Sequence, residues 1–359
     1  MTITATGAIS FSDLRTEFVG GSSAISLGDL YRGGSNIRKK ASDNTATNDA
    51  ASVPTGGAID MADFYSTAKS FTKTYNAGAT NQDAGTIFGD DFDVDYPKNI
   101  IINNGVELGA TSTSEEALEI PAGGAGTITI TNNGTLSGYG GAAGGAGGDA
   151  FESSTTCTFV NNGLVRAGGG GGGAGGAGGS GSYSSTTTGS YPLSRWVSTT
   201  TQGGPSSTGN RQAAYWNNSA VYVSNSSTLN SYGAYARSSY VQVQYDNEGN
   251  TIRWYRITQT STSSSSGGAG GAGGVGQGYN VSAASGSSGA AGGTNAGTGG
   301  TGGTGGDFGA AGSTGSTGAN GNVSNGSAGS AGGAAGKYAR QSAGTLTFTN
   351  NGTVQGNAP

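Results

Sequence analysis

Catalysis needs groups that exchange protons, attack carbon or hold metal, and this chain of 359 residues carries few of them. It has no His, which removes the imidazole on which serine triads, papain-like enzymes and most zinc centres depend. Its one thiol, Cys157, sits in an alternating apolar stretch and reads as a small buried hydrophobe. It makes no intrachain disulfide and gives no reading of redox compartment. Beyond residue 160 the carboxylates are Asp246, Glu248, Asp307 and the C-terminus. Asp246 and Glu248 share one hairpin turn and are expected in water, not on opposite sides of a glycosidic bond. Asp90-Asp91-Phe92-Asp93-Val94-Asp95 alternates carboxylates like a calcium loop, yet no Gly follows Asp95 and no Glu closes the loop. A solvated acidic edge is the expectation there. The reading is therefore no enzyme, no cofactor and no metal.

Binding chemistry is better supplied. Residues 183–266 contain all three Trp and nine of the sixteen Tyr, with five Arg against Asp246 and Glu248. Rigid aromatic area beside adaptable Ser and Asn is the composition of recognition surfaces. Aromatic faces also stack on sugar rings, so a surface glycan and an outer-membrane protein are both candidate partners. The candidate binding residues are Tyr191, Trp196, Tyr215, Trp216, Tyr222, Tyr232, Tyr235, Arg253, Trp254 and Tyr255. The alternative is that these rings form the core of a small β unit; some buried and some at a tip is the expectation. Nucleic acid is excluded as a partner, because Lys and Arg number 16 and the net charge is −5.

The elements that must position these residues can be read from periodicity. Tyr240–Tyr245 and Thr251–Ile257 alternate around Asp-Asn-Glu-Gly-Asn and predict a β-hairpin; shorter strands are expected at 213–216 and 221–223. Asn-Asn-Gly recurs at 103–105, 132–134, 161–163 and 350–352, each copy between apolar stretches. Asn-Gly is a turn signal because both residues accept positive φ. The first three copies are evenly spaced and predict stacked β coils, a solenoid or solenoid-like sheet. The fourth comes so much later that about 160 residues look inserted before the closing strand.

Gly accounts for 74 residues and Pro for only 6, which excludes collagen. Leu, Ile, Val and Phe make about 14% of the chain, too few for a core along its whole length, while charge is too low for ordinary disorder. Backbone hydrogen bonds are the remaining source of order. Gly recurs every third residue at 138–147, 169–181, 267–276 and 297–321, which fits a threefold extended helix and neither α nor β periods. Such an edge without Cβ lets backbones approach closely, and 297–321 would then reach about 75 Å. The alternative is a flexible Gly/Ser linker, whose spacing is usually irregular.

At the start, Ala8–Leu14, Ala24–Leu30 and Ala58–Phe64 repeat one pattern, a cap residue before a short apolar turn. Turns this short need something to pack on; external surfaces and an ordinary small N-terminal domain are the two alternatives. Residues 33–57 are polar and read as a loop or linker. No signal peptide is expected from residues 1–20, and no apolar run is long enough to span a membrane.

The Gly-rich blocks (GYGGAAGGAGGDA, AGGGGGGAGGAGGSGS, SGGAGGAGGVGQGY, GTGGTGGTGGDFG) alternating with aromatic stretches resemble the distal tail-fibre adhesins of T-even-like phages. The resemblance implies a lattice of polyglycine-II helices with receptor-binding loops at the tip. The 84-residue aromatic insert departs from it in being much longer than the family's short loops. The opening repeats look like segments near the N-terminus of phage virion proteins and imply attachment to the virion. Together these give a mainly β fold with short N-terminal helical turns, a β-solenoid-like base, a polyglycine-II bundle and an inserted small β domain. The expected boundaries are 1–70 for virion attachment, 71–137 for the solenoid-like repeats, and 138–182 for the first Gly-rich region. After these come 183–266 for the receptor-binding insert, 267–343 for the second Gly-rich region and 344–359 for the closing strand. The expected partners are other phage tail or fibre proteins and a host surface glycan or outer-membrane protein, with the chain a monomer on a trimeric fibre or itself a homotrimer. The expected location is the virion, after synthesis in the host cytoplasm. Other readings are a purely structural tail component, an ice-binding protein presenting Thr298, Thr301 and Thr304, and a depolymerase, for which carboxylates are lacking.

Overall fold

The computed structural model describes residues 3–39, 46–195, 211–216, 219–223, 235–245 and 251–358, with side chains described outside 187–260. The fold is mainly β with few helices. At the N-terminus the three repeats form short turns over Phe11–Leu14, Leu27–Leu30 and Met61–Phe64. In each, the backbone N–H of the cap residue donates to the carboxylate three residues on: Ser10 to Asp13 at 2.8 Å, Ser26 to Asp29 at 2.8 Å, Asp60 to Asp63 at 2.9 Å. These bonds, first from the backbone and then from the hydroxyl, hold the Asp13 and Asp29 carboxyls below their ordinary range.

Of the two alternatives for what the turns pack on, the structure shows the small N-terminal domain. Leu14, Leu30 and Phe64 are fully buried in one core with Phe18, Ile37, Ala50 and Val53, so the turns support one another. Residues 33–57, read as a loop or linker, are mostly turns and bends where described, yet they supply three of those core side chains and begin the first sheet at Thr47–Asn48. Scattered apolar residues in polar surroundings carry no periodic signal, which is why composition marked this stretch as a loop.

From Phe71 onward each pass of the chain contributes a strand to two or three parallel sheets. The six-stranded sheet runs Thr47–Asn48, Phe71–Tyr75, Lys98–Ile102, Ile128–Asn132, Cys157–Asn161, Leu346–Asn350, parallel except at its first pair. A five-stranded sheet follows it around the stack, ending with Leu164–Arg166 beside Thr353–Gln355, and a four-stranded one ends with Phe151–Ser153 beside Arg340–Gln341. Strands 98–102, 128–132 and 157–161 alternate buried and half-buried residues. Ile100, Ile130 and Phe159 therefore face one core with Leu118, Leu136, Phe151 and Val165, each worth about 1.5–3 kcal/mol of burial. The last Asn-Asn-Gly copy closes directly on the third, with Cys157 beside Leu346 and Asn161 beside Asn350.

The Asn-Asn-Gly copies do lie at turns, but the reasoning from hairpin chemistry is corrected. The strands on either side belong to different sheets, and only Gly105 has positive φ, at 80°. Gly134, Gly163 and Gly352 are needed for close approach. A Cβ there would lie 2.3 Å from the Val106 carbonyl oxygen, 2.1 Å from that of Gly134 and 2.1 Å from that of Gly163. The even spacing also conceals a shift. Ile102 pairs with Asn132 while Glu107 pairs with Thr135, so the first turn spans two residues more than the next.

Asn is required for a further reason. The Asn132 Nδ2 donates to Asn161 Oδ1 at 2.8 Å and the Asn161 Nδ2 to Asn350 Oδ1 at 2.7 Å. Asn132 Oδ1 and Asn161 Oδ1 also accept the N–H of the turn glycine two residues on. Asn161 is buried, so Asn161→Ala leaves several amide and backbone groups unpaired. Urea unfolding should show a loss of about 2 kcal/mol or more. Asn162→Ala, in the exposed outer ladder that bonds Asn133 and Asn351 at 3.0 Å, should cost under about 1 kcal/mol.

The glycine-rich segments join through backbone hydrogen bonds in three-residue steps. Along 168–180, the N–H groups of Gly169, Gly172, Gly175 and Gly178 donate to the carbonyls of Gln277, Gly274, Gly271 and Gly268 at 2.8 Å. Those of Gly170, Gly173, Gly176 and Gly179 donate to Ala310, Ser313, Ser316 and Ala319 at 2.9 Å. Further bonds link the same segment to 141–144, 145–148, 297–306 and 327–336. The 75 Å reach for 297–321 is overturned: Gly309 takes a φ of 69°, Ala310 N–H returns to Asp307 O, and the chain doubles back. Ser313, Ser316 and Ala319 then donate to Thr304, Thr301 and Thr298. Glycine keeps its three-residue spacing across the reversal, so spacing alone could not reveal it.

Candidate receptor-binding region

The aromatic segment is built on the end of the glycine-rich array. Strand Gly181–Arg195 leaves the central segment and pairs antiparallel with Thr251–Ser265, whose other edge pairs with Tyr235–Tyr245. The base of this sheet is tied to two turns of the array. Ser182 N–H donates to Asn322 Oδ1 at 2.8 Å, and the Ser182 carbonyl accepts from Asn322 Nδ2 at 2.9 Å and Asn295 Nδ2 at 3.0 Å. Ser265 Oγ donates to the Thr294 carbonyl at 2.5 Å. Arg211–Trp216 and Ser219–Val223 form a separate two-stranded antiparallel sheet.

The structure brings several candidate residues into one register. Tyr191 and Tyr240 are both Cα partners of Tyr255, giving a row of three Tyr across three strands. Trp254 lies between Pro192 and Gln242, and Arg253 is opposite Val243. Tyr235 is opposite Gln259 on the same sheet. Tyr215, Trp216 and Tyr222 pair with Ala220, Ser219 and Gln212 on the smaller sheet. Trp196, Tyr232, Asp246 and Glu248 lie outside the described residues. The register adds Tyr240, whose position in the alternating run was visible but whose alignment with Tyr191 was not. Gly181–Arg195 as a strand was missed altogether, because its Gly-, Ser- and Thr-rich sequence has no apolar alternation. Register shifts interrupt the sheet around Pro192, Arg237 and Tyr240, the kind of irregularity that re-aims side chains next to binding sites.

Several titratable groups elsewhere among the described residues hold the fold together. Asp91, expected at a solvated edge, is instead buried and paired with Arg38 at 2.5 Å, and Lys98 is fully buried, donating to the carbonyls of Val94, Tyr96 and Ala125. Burial lowers the Lys98 ammonium to about 8. Burial likewise pushes the Cys157 thiol up, which keeps it protonated and unreactive. Among the described residues no group of His, Cys, Asp and Glu is arranged to hold a metal ion.

Arg340 is the centre of a charge cluster: it reaches Glu116 at 2.7 Å and Asp149 at 2.8 Å, and also bonds Glu152. One guanidinium shared among three carboxylates does not offset the burial of Glu116, whose carboxyl rises from 4.5 to about 7, with Glu152 adding to the rise. The folded chain thus holds that proton more tightly than the unfolded chain. Its stabilising contribution is full below about pH 4.5 and is lost as pH rises to about 7. The melting temperature should fall over that interval, and Glu116→Gln should flatten the fall.

A sequence model of the family described as phage tail fibre adhesin Gp38 matches residues 67–254. No curated protein and no solved structure matches the chain. The matched range takes in most of the strand stack, the central glycine segment and most of the aromatic sheet, and it covers more than half of the sequence. The chain belongs to the phage tail fibre adhesin Gp38 family.

Proposed function

We propose that this adhesin sits at the end of a phage tail fibre and binds a host surface glycan or outer-membrane protein through residues 183–266, without catalysis. The observation that carries the reading is the placement of the aromatic sheet: its paired strands are tied at their base to turns at one end of the glycine-rich array. On this reading the strand stack is a β-solenoid-like base and the glycine-rich segments are a polyglycine-II bundle serving as rigid scaffold. Three-residue bond steps and the close approach of backbones at Gly170–Gly179 support it. Residues 1–70 attach the chain to other tail proteins.

Replacing Tyr191, Trp254 and Tyr255 together by Ser tests the assignment. Phage carrying the triple variant should adsorb at least about tenfold more slowly, as expected when aromatic anchors are removed from an interface. The purified variant should keep the melting temperature of the strand stack. Unchanged adsorption would sink the assignment of these residues.

A further inference from the structure

The strand stack is finished at one end and open at the other. At its start, Thr47–Asn48 lies antiparallel along Phe71 and Thr72 and covers that edge of the six-stranded sheet. At its end, Leu346–Asn350, Thr353–Gln355 and Arg340–Gln341 are the last strands of the three parallel sheets, and none of the described residues pairs with their far edges. The core shows the same asymmetry. Cys157, Phe159 and Val165 of the preceding coil are buried, while Leu346, Phe348 and Val354 of the last coil are only half-buried. Asn161, whose amide donates to Asn350 Oδ1 and to the Thr353 carbonyl at 3.2 Å, is the last of its ladder to have a coil on both sides.

Parallel pairing sets which backbone groups of that last strand are spent. Cys157 N–H donates to the Thr345 carbonyl and Asn351 N–H to the Asn161 carbonyl, so Thr345, Thr347, Thr349 and Asn351 direct their backbone groups into the stack. Leu346, Phe348 and Asn350 direct theirs away from it. A row of free donors and acceptors on a sheet edge is a template for another strand. This edge reads almost the same in both directions around Phe348: Thr345-Leu346-Thr347-Phe348-Thr349-Asn350-Asn351. Turned about a two-fold axis through Phe348, a second copy of the edge sets Phe348 against its own counterpart and Leu346 against Asn350. These are the outward-directed positions, so each pair exchanges both of its backbone bonds. Thr347 and Thr349 then meet on the outer face, a pairing favoured between strands, and the Phe348 rings extend the core. We propose that the open end of the strand stack pairs with the same end of a second copy, antiparallel through Leu346–Asn350, to give a two-fold dimer of the free chain. Such a contact is self-complementary and closes, as isologous interfaces do. Head-to-tail stacking is barred, because Thr47–Asn48 already occupies the edge that a second copy would need. The proposal is independent of what residues 183–266 bind.

The test uses the purified full-length chain. Sedimentation from nanomolar to micromolar concentration should show the mass of one chain giving way to that of two. Hydrogen exchange should slow at the Leu346, Phe348 and Asn350 amides as concentration rises, while the Thr347 and Thr349 amides, bonded within the stack, stay protected throughout. Thr347→Lys with Thr349→Lys should weaken self-association at least about tenfold, because the pairing sets like charges directly opposite each other. Both side chains are exposed, so melting should stay within a few degrees of the parent. Thr347→Glu with Thr349→Glu should be weakened to the same extent alone, and an equimolar mixture of the two double variants should recover association. A single chain at every concentration, protection of the Leu346, Phe348 and Asn350 amides that does not vary with concentration, or a dimer that both double variants keep would overturn the proposal.

Discussion

Gly173→Val should leave the glycine-rich array unable to form, with no cooperative unfolding transition for that part of the chain. A Cβ at Gly173 would lie 1.9 Å from the Ser330 carbonyl oxygen and 2.6 Å from that of Ala331. Both obstacles are backbone, so no side chain can swing aside. Nor can the 168–180 segment move away, because Gly173 itself donates to Ser313 and accepts from Gly303, and its neighbours bond to further segments. Relief requires breaking several backbone bonds in a region that has almost no side-chain burial to compensate. Ordinary overpacking costs about 1–3 kcal/mol, and a clash with fixed backbone on a bonded segment should exceed about 4 kcal/mol. Ala174→Ser is the control, since Ala174 is exposed along the same segment, and should change stability by under about 0.5 kcal/mol. Hydrogen exchange of the 168–180 amides distinguishes the two variants: full protection in Gly173→Val would show that the segment does not depend on backbone contact.

That dependence explains how much could be read from the residues alone. Local chemistry was legible where a feature lies within a few residues: the Ser10, Ser26 and Asp60 caps, the strands ending at the Asn-Asn-Gly turns, and the hairpin across Tyr245 and Thr251. Features set by what lies across a gap were not. The reversal at Asp307–Ala310 keeps the glycine spacing, so its only local mark is Asp307-Phe308 in place of a small pair. The Asn132–Asn161–Asn350 ladder needs parallel strands in register before the amides can meet. Arg340 finds Glu116, Asp149 and Glu152 only because the closing pass returns beside residues far earlier in the chain. In the candidate binding region composition located the aromatic segment, and pairing then aligned Tyr191, Tyr255 and Tyr240, a row that sequence order separates widely.

Excising 186–260 and joining Ser185 to Ser261 through Asn-Gly should abolish adsorption while leaving the remainder folded. The cut falls where the two strands are still in register: Ser185 and Ser261 are Cα partners, and their hydroxyls bond at 2.8 Å. A two-residue Asn-Gly loop matches the twist of an antiparallel pair, so the shortened hairpin closes without strain. Below it the Gly181–Ser265 pairing and the Ser182 bonds to Asn295 and Asn322 are retained. The core side chains of the strand stack, from Phe71 to Ala339, all lie outside the excised range. Thermal melting of the shortened protein should therefore stay within a few degrees of the parent, and its glycine-segment amides should remain protected. Adsorption of particles carrying it should fall to that of particles lacking the chain, because every candidate binding residue from Tyr191 to Tyr255 has been removed. Collapse of the remainder would mean that the aromatic sheet is part of the folding core, and normal adsorption by a folded remainder would place receptor binding elsewhere on the chain.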